Sequence, residues 1–306
     1  MIPRLVVLVG PTAGGKSALA LALAERIGGE ILSADSMQVY RGMDIGTGKP
    51  SAAERRRVPH HGIDLVEPQI ECTVAMYRRY AVAALSAIHA RGRVPIMVGG
   101  TGLYVRAVVD GLCPAPPADP AYRETLAREA CSAGAGPLHT RLQQTDPAAA
   151  ARIHPHDARR IIRALEVHHV SGRPLSAWQQ QTHGLTDTWQ VRQVGLLPPR
   201  DALDARINAR VLAMVSAGLI EEARGLHAAG VSRTAGQALG YKELFAAFEG
   251  RWSVDEAVAR IQHDTRRYAR RQLTWFRHDP RITWMTPAAN AGPADLLPSL
   301  LASLGR

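Results

Sequence analysis

Cysteine is scarce: Cys72, Cys113 and Cys131 are the three in 306 residues. No C-x-x-C pair exists, so neither a zinc ribbon nor a disulfide framework is supported, and a reducing compartment is expected. Long apolar runs are missing too. The first, Leu5 to Val9, is too short for the apolar region of a signal peptide, and no later stretch approaches the length needed to span a bilayer. A cytoplasmic protein with no membrane segment is therefore expected. Acidic residues are outnumbered, 27 Asp and Glu against 37 Lys and Arg, for a formal charge of +10. That surplus fits a polyanionic partner, nucleic acid or an anionic membrane, and fits equally a chain that is simply arginine-rich. Composition leaves these readings open. Internal repeats and low-complexity segments are absent. Hydrophobic residues at 46% and charged residues at 21% describe a folded chain, able to bury one large core or one core plus a smaller module.

What is present begins with strands and helices in alternation. Leu5 to Val9 is short, β-branched and uniformly apolar, as a strand buried on both faces of a parallel sheet should be. Ser17 to Ile27 reads as a helix that Gly28-Gly29 ends. Further strands are expected at Glu30 to Ser33, Gly62 to Leu65 and Val94 to Val98, with helices at Val74 to Arg91 and from Leu103. This is the pattern of an α/β fold, a parallel sheet flanked by helices. The glycine-rich G-x-x-x-x-G-K-S loop from Gly10 to Ser17 after the first strand makes it P-loop NTPase-like. The proline-rich stretch from Cys113 to Pro120 then acts as a hinge. Asp119-Pro120 and Asp146-Pro147 are helix-start pairs, and Asp157 can cap a helix that Gly172 and Pro174 close. Strand composition returns at Val191 to Leu197. The expected organisation is an α/β core from 1–113 and 190–306, interrupted by an all-helical insertion domain at 114–189. In the C-terminal helices, Val258, Ile261, Tyr268 and Phe276 form one side of a wheel, with Arg266, Arg267, Arg270 and Arg271 across from them, and Ile282 to Met285 is a last strand.

Gly10, Pro11, Thr12, Ala13, Gly14, Gly15, Lys16 and Ser17 match G-x-x-x-x-G-K-(S or T) at every fixed position, between an expected strand and an expected helix. Glycines let backbone amides turn inward around phosphate oxygens at the positive end of the following helix. Lys16 supplies a point charge, and the Ser17 hydroxyl is placed to ligand Mg²⁺. Two absences narrow the chemistry. No strand ends in the Asp of a Walker-B magnesium site, and there is no N-K-x-D signature for guanine. Motor ATPases and GTPases are disfavoured, leaving small-molecule phosphoryl transfer or a reaction that needs only a pyrophosphate cradle.

Asp35 follows the second strand. Carboxyl ends of neighbouring parallel strands face one ligand crevice, so Asp35 stands near the phosphate loop, to accept a proton or hold Mg²⁺, or else caps a helix. Gly99-Gly100-Thr101-Gly102 ends another strand at the same rim, where glycines permit close backbone approach and Thr101 adds a hydroxyl. Arg159, Arg160 and Arg163, with the Arg266 to Arg271 face, can grip RNA phosphates or lie on solvated helix faces. The histidine pairs His60-His61, His154/His156 and His168-His169 lack accompanying ligands at metal-site spacing and read as structural or surface groups. Tyr268, Trp275 and Trp284 read as core residues.

Together these blocks resemble a known family. Gly10 to Ser17 and the long run from Ser33 to Pro50 (Ser-Ala-Asp-Ser-Met-Gln-Val-Tyr-Arg-Gly-Met-Asp-Ile-Gly-Thr-Gly-Lys-Pro) are similar to those of the tRNA dimethylallyltransferases, the tRNA isopentenyltransferase family. His60 to Asp64, Val98 to Tyr104, Arg160 to Val167, Leu239 to Glu243 and Arg270 to Arg277 match in order and spacing, so the resemblance covers nearly the whole chain. It implies transfer of a dimethylallyl group from dimethylallyl diphosphate to the exocyclic amine of the adenosine beside the anticodon, with Mg²⁺ as the ion and pyrophosphate leaving. It implies that Asp35 accepts the amine's proton and that Thr101 orients the reacting groups. By position, Asp35, Ser36, Met37, Gln38, Thr101, Arg123, Arg159, Arg160, Ile161, Ile162, Arg163, Gly240, Tyr241 and Lys242 match tRNA-contacting parts of the family. The implied partner is the tRNA anticodon stem-loop. The chain is expected to act as a monomer, with no membrane and no obligate protein partner. Gly14, Ser17, Gly48 and Arg159 depart from common family residues without endangering that chemistry.

Overall fold

Six parallel strands form the sheet of this computed structural model, which describes residues 2–288 and 290–305. They are β1 (Arg4–Val9), β2 (Gly29–Ser33), β3 (His60–His61), β4 (Val94–Gly99), β5 (Gln190–Leu196) and β6 (Ile282–Met285), in the order β3-β2-β4-β1-β5-β6. Successive side chains of a strand point to opposite faces. Leu5, Val7 and Val9 enter one core cluster with Tyr77, Val105 and Phe276, while Val6 and Leu8 enter another with Leu19, Leu23 and Leu300. Both faces are covered, so no position of β1 beyond Arg4 is exposed and the polar alternation of a half-buried strand disappears.

The edge of the sheet departs from expectation. Pairing with β2 is made by His60 and His61, and no strand runs over Gly62 to Leu65. Gly62 (φ 78°) and Asp64 (φ 55°) sit in the left-handed region, which turns the chain off the sheet. The helix Lys16–Ile27 ends as read: Gly28 (φ 65°) supplies a left-handed cap and its amide bonds Ala24 O. At the far end, Ser253 and Glu256 form a capping box for the long helix Val254–Arg277. Its buried positions are Ala257, Ile261, Ala269, Gln272 and Phe276, while Val258 and Tyr268 are half-buried. Arg267, Arg270 and Arg271 are exposed, but Arg266 is not free: its guanidinium donates to Asn208 Oδ1 at 2.5 Å.

The chain divides into two compact units, one holding the residues up to Val109 and from Leu185 on, the other Asp110–Gly184. The second unit is all-helical. Its last residue falls before 189 because Leu185 and Trp189 pack into the core beneath the sheet. Inside it, Asp119 caps the helix Pro120–Ala133 by accepting from Tyr122 N–H. Asp146 does the same for Pro147–Ala150 through Ala149 N–H. Asp157 and Gly172 bound the helix Ala158–Ser171. Leu126, Leu138, Leu142, Ile161 and Leu165 give this unit its own core. Among the described residues, no helix is long and apolar enough to cross a membrane.

Candidate active site

The carboxyl ends of β1, β2 and β4 lie side by side, and each releases a turn into the same crevice. After β1 comes the phosphate loop. Gly10 (φ 143°), Ala13 (φ 57°) and Gly15 (φ 90°) take positive φ, the conformation that curls successive amides to one side. Lys16 is buried, and its Nζ donates to Pro11 O at 2.6 Å. Burial lowers its pKa to about 7, helped by the Arg210 cation and opposed by the Asp35 carboxylate. Ser17 stands exposed at the start of the helix.

After β2 comes Asp35. Its Oδ1 accepts from Met37 N–H at 2.8 Å, so it closes a local turn and caps no helix. After β4 comes Thr101, whose Oγ1 accepts from Ser36 N–H at 3.0 Å and donates to Ser36 Oγ at 3.3 Å. The two turns are close-packed, because a Cβ on Gly99 would fall 2.1 Å from Ala34 O. Thr101 thus holds the turn that aims Asp35.

Two neighbouring spaces share lining residues at this point. One, of about 570 Å³, is lined by Lys16, Ser17, Gly100, Arg206 and Arg210. The other, of about 280 Å³, is lined by Ile207, Val211, Met214, Leu219 and Ile261. Thr12, Ala13, Asp35, Thr47, Arg210 and Tyr268 line both. A cationic cradle and a second space with an apolar wall therefore share a rim that carries the Asp35 carboxylate. That shape suits a ligand with an anionic head and a short apolar tail.

Sequence reading missed several contributors. Arg206 and Arg210 lie four apart on the helix Arg200–Ser216, beside its buried stripe of Leu203, Ile207 and Val211. Two cations flanking such a stripe were the available signal. Arg210 is held close by Gly48, where a Cβ would fall 1.9 Å from Nη2. Tyr268, expected in the core, lines both spaces instead. Burial and the nearby Asp35 charge push its hydroxyl up to about 12, opposed by contacts to Thr101 and Gln272. Gln272 bonds both the phosphate loop and the β4 turn. Trp275 is also not core, being 39% exposed, whereas Trp284 packs against the main cluster.

The expected RNA-facing residues do not share one role. Gln38 accepts from Ser33 Oγ and donates to Thr47 O and Gly48 O, bracing the loop beside Arg210. Met37 is partly buried against the main core. The Tyr241 ring is fully buried, and its hydroxyl donates to Glu222 while accepting from Gly46 N–H. Gly240 begins the helix Tyr241–Phe248, its N–H held by Glu243, and Lys242 pairs with Asp264 at 3.2 Å. In the helical unit Ile161 is buried and Ile162 packs against the same core. Arg123 and Arg163 both bind the buried Glu166, leaving Arg159 and Arg160 exposed. His61 bonds Glu30 and His60 bonds Val58 O, the structural roles expected of them. Among the described residues, no group of three or more His, Cys, Asp or Glu is placed to hold a metal ion.

The comparisons with known proteins agree with this geometry. A family model described as IPP transferase matches residues 38–279, and one described as isopentenyl transferase matches residues 3–70. The chain is 51% identical over 289 residues to a tRNA dimethylallyltransferase of Geobacter sulfurreducens, covering 94% of this chain and 93% of that one. It is 50% identical over 287 residues to that of Geobacillus kaustophilus, covering 93% and 90%. The crystal structure of the full-length tRNA isopentenylpyrophosphate transferase from Bacillus halodurans matches with a TM-score of 0.72 at 41% identity, over 99% and 97% of the two chains. A eukaryotic dimethylallyltransferase solved acting on tRNA matches with a TM-score of 0.76 at 25% identity, over 94% and 74%. Matched by that family model over residues 38–279 and half identical to these relatives over nearly its whole length, the chain belongs to the IPP transferase family, the tRNA dimethylallyltransferases.

Proposed function

We propose that this protein transfers the dimethylallyl group of dimethylallyl diphosphate to the exocyclic amine of the adenosine immediately 3′ of the anticodon in tRNA. The observation that carries this reading is the adjacency of the cationic space at Lys16 and Arg210 to the space walled by Ile207, Val211 and Ile261, with Asp35 lining both. In the reaction a C–N bond forms between the amine and the allylic carbon, and the C–O bond to the diphosphate breaks. The electron pair of that bond leaves with pyrophosphate. Loop amides, Lys16 and the Arg206 and Arg210 guanidiniums face the oxygens on which negative charge grows. Asp35 takes the proton that the amine loses, and Thr101 keeps Asp35 aimed through the Ser36 turn. The adenine must leave its stack to reach this buried junction.

The residues present fit Mg²⁺ held together with the diphosphate. Ser17 offers one hydroxyl to the cavity, and the absence of a carboxylate cage among the described residues suits an ion that keeps water and phosphate ligands. When bound, the ion supplies further neutralisation of the leaving group. Arg159 and Arg160 are two exposed cations of the helical unit that would meet the phosphates of the anticodon stem-loop. The protein works as a monomer in the cytoplasm. Purified protein, Mg²⁺, labelled dimethylallyl diphosphate and unmodified tRNA, without ATP, test the reading by nucleoside analysis. Label on adenosine is the expected result. No label on a proven acceptor tRNA, with ATP consumed alongside a small metabolite, would replace the transferase by a kinase.

A further inference from the structure

Gln272 is a nearly buried amide, 5% exposed. Its Oε1 accepts from Thr12 N–H at 2.8 Å, and its Nε2 donates to Gly100 O at 3.0 Å. An amide oxygen can only accept and an amide nitrogen only donate, so the two partners fix the orientation of the group. Gly100 is shaped for it, since a Cβ there would fall 2.0 Å from Nε2. One turn earlier on the same helix, the Tyr268 hydroxyl interacts with both Thr101 and Gln272.

Thr12 belongs to the loop that cradles the leaving group, and Gly100 to the turn that carries Thr101. Sheet pairing fixes β1 against β4 only as far as Val9 opposite Gly99. Thr12 and Gly100 both lie past the strand ends, where no ladder sets their spacing. The Gln272 amide bridges them there. A connected path then runs from Thr12 through Gln272 and Gly100 to Thr101, Ser36 and Asp35. We propose that Gln272 is a positioning residue that sets the distance between the diphosphate cradle and the acceptor turn, and so the approach of amine to allylic carbon. This rests on the transferase reading above. Gln272 borders the cradle space, but both polar atoms of its amide are taken up by the two backbone partners, so its proposed effect passes through the two loops. Attack geometry is exacting: reacting atoms must meet at about 3–3.5 Å, and a shift of about 1 Å costs on the order of a hundredfold in rate.

The test compares Gln272→Met, of similar shape with no amide, and Gln272→Asn, which keeps the amide on a stem too short to reach both partners. Single-turnover transfer at saturating diphosphate, with enzyme in excess over tRNA, gives a rate constant that does not depend on the fraction of folded protein. For Gln272→Met it should fall at least about tenfold, with diphosphate KM and tRNA Kd within about threefold of the parent. Gln272→Asn should lie between the two. If Gln272→Met does not fold, Gln272→Asn decides by a rate below the parent's at unchanged KM and Kd. A single-turnover rate within about threefold of the parent for Gln272→Met, or a loss carried wholly by diphosphate KM, would overturn the proposal. If the parent itself transfers no label, the transferase reading fails first. Normal parental transfer with an unaffected variant sinks the Gln272 proposal alone.

Discussion

Lys16 Nζ donates a 2.6 Å hydrogen bond to the carbonyl oxygen of Pro11, inside its own loop. The side-chain nitrogen is thus tied to the backbone of the loop it serves. Burial, reinforced by Arg210 and opposed by Asp35, brings its pKa down to about 7. The sign of the consequence follows. A bound diphosphate raises the pKa, so binding takes up a proton at any pH above about 7 and none from this group well below it. Affinity should be flat below that value and fall as pH rises through it. Calorimetry at pH 8 in two buffers of different ionisation heat should show clearly more proton uptake than in Lys16→Met, up to about one proton. Equal uptake in the two proteins would mean that Lys16 is already charged in the free enzyme.

Asp35 has two tasks that one substitution separates. Its Oδ1 holds Met37 N–H at 2.8 Å, and its charge is the base proposed for the amine. Asn can still accept from Met37, so Asp35→Asn keeps the turn and removes the base. We expect kcat to fall roughly 10²–10⁴-fold with tRNA affinity nearly unchanged. A large loss of RNA binding instead would make Asp35 a contact residue. Asp35→Ala, which also frees the Met37 amide, should be no more active than Asp35→Asn.

Much of this site could be read before the structure because its parts are local. Gly10 to Ser17 is one continuous motif, and Asp35 and Thr101 each follow a recognisable strand, so parallel topology alone brings them to one rim. Arg210, Tyr268 and Gln272 were less legible. They arrive from helices far along the chain, and their roles come from which side of the helix meets the crevice. A half-buried Tyr and a buried Gln on an amphipathic helix look like ordinary core edge until the partner is known. Single residues such as Gly62 and Asp64 also decided where β3 stops, through a left-handed backbone that composition does not announce. The same blindness applied to Ile161 and Tyr241. Both lie within recognised blocks, yet their side chains serve packing and not the surface.

Glu166 organises the helical unit. It is fully buried, and it accepts from Asp119 N–H at 2.7 Å, Arg123 Nη2 at 2.9 Å and Arg163 Nη1 at 2.5 Å. Burial pushes its pKa up, but these bonds outweigh it and hold the carboxylate below its ordinary 4.5. Its contribution is therefore complete above 4.5 and fades as pH falls through the lower folded value. Glu166→Gln should cost about 2–3 kcal/mol in urea unfolding at neutral pH, because two guanidiniums lose their counter-charge. That gap should narrow in acid. A gap that stays constant with pH would show that Glu166 acts by shape and not by charge.

Arg160 and Arg163 are one helical turn apart and predict opposite outcomes. Arg163 is committed to Glu166 and to Pro116 O, so replacing it should first disturb the unit's fold. The Arg160 side chain is 61% exposed, with Asp157 no nearer than 3.6 Å, and such an exposed pair contributes little stability. Its cation is available to a phosphate. Each phosphate contact releases counterions, so removing one lowers the slope of log affinity against log salt by about 1. Arg160→Ala should therefore weaken tRNA binding, flatten the salt dependence measured between about 50 and 200 mM, and leave urea stability unchanged. An unaltered slope would take Arg160 off the RNA surface. A lost slope in Arg163→Ala with the fold intact would mean that Glu166 releases its partner to the RNA.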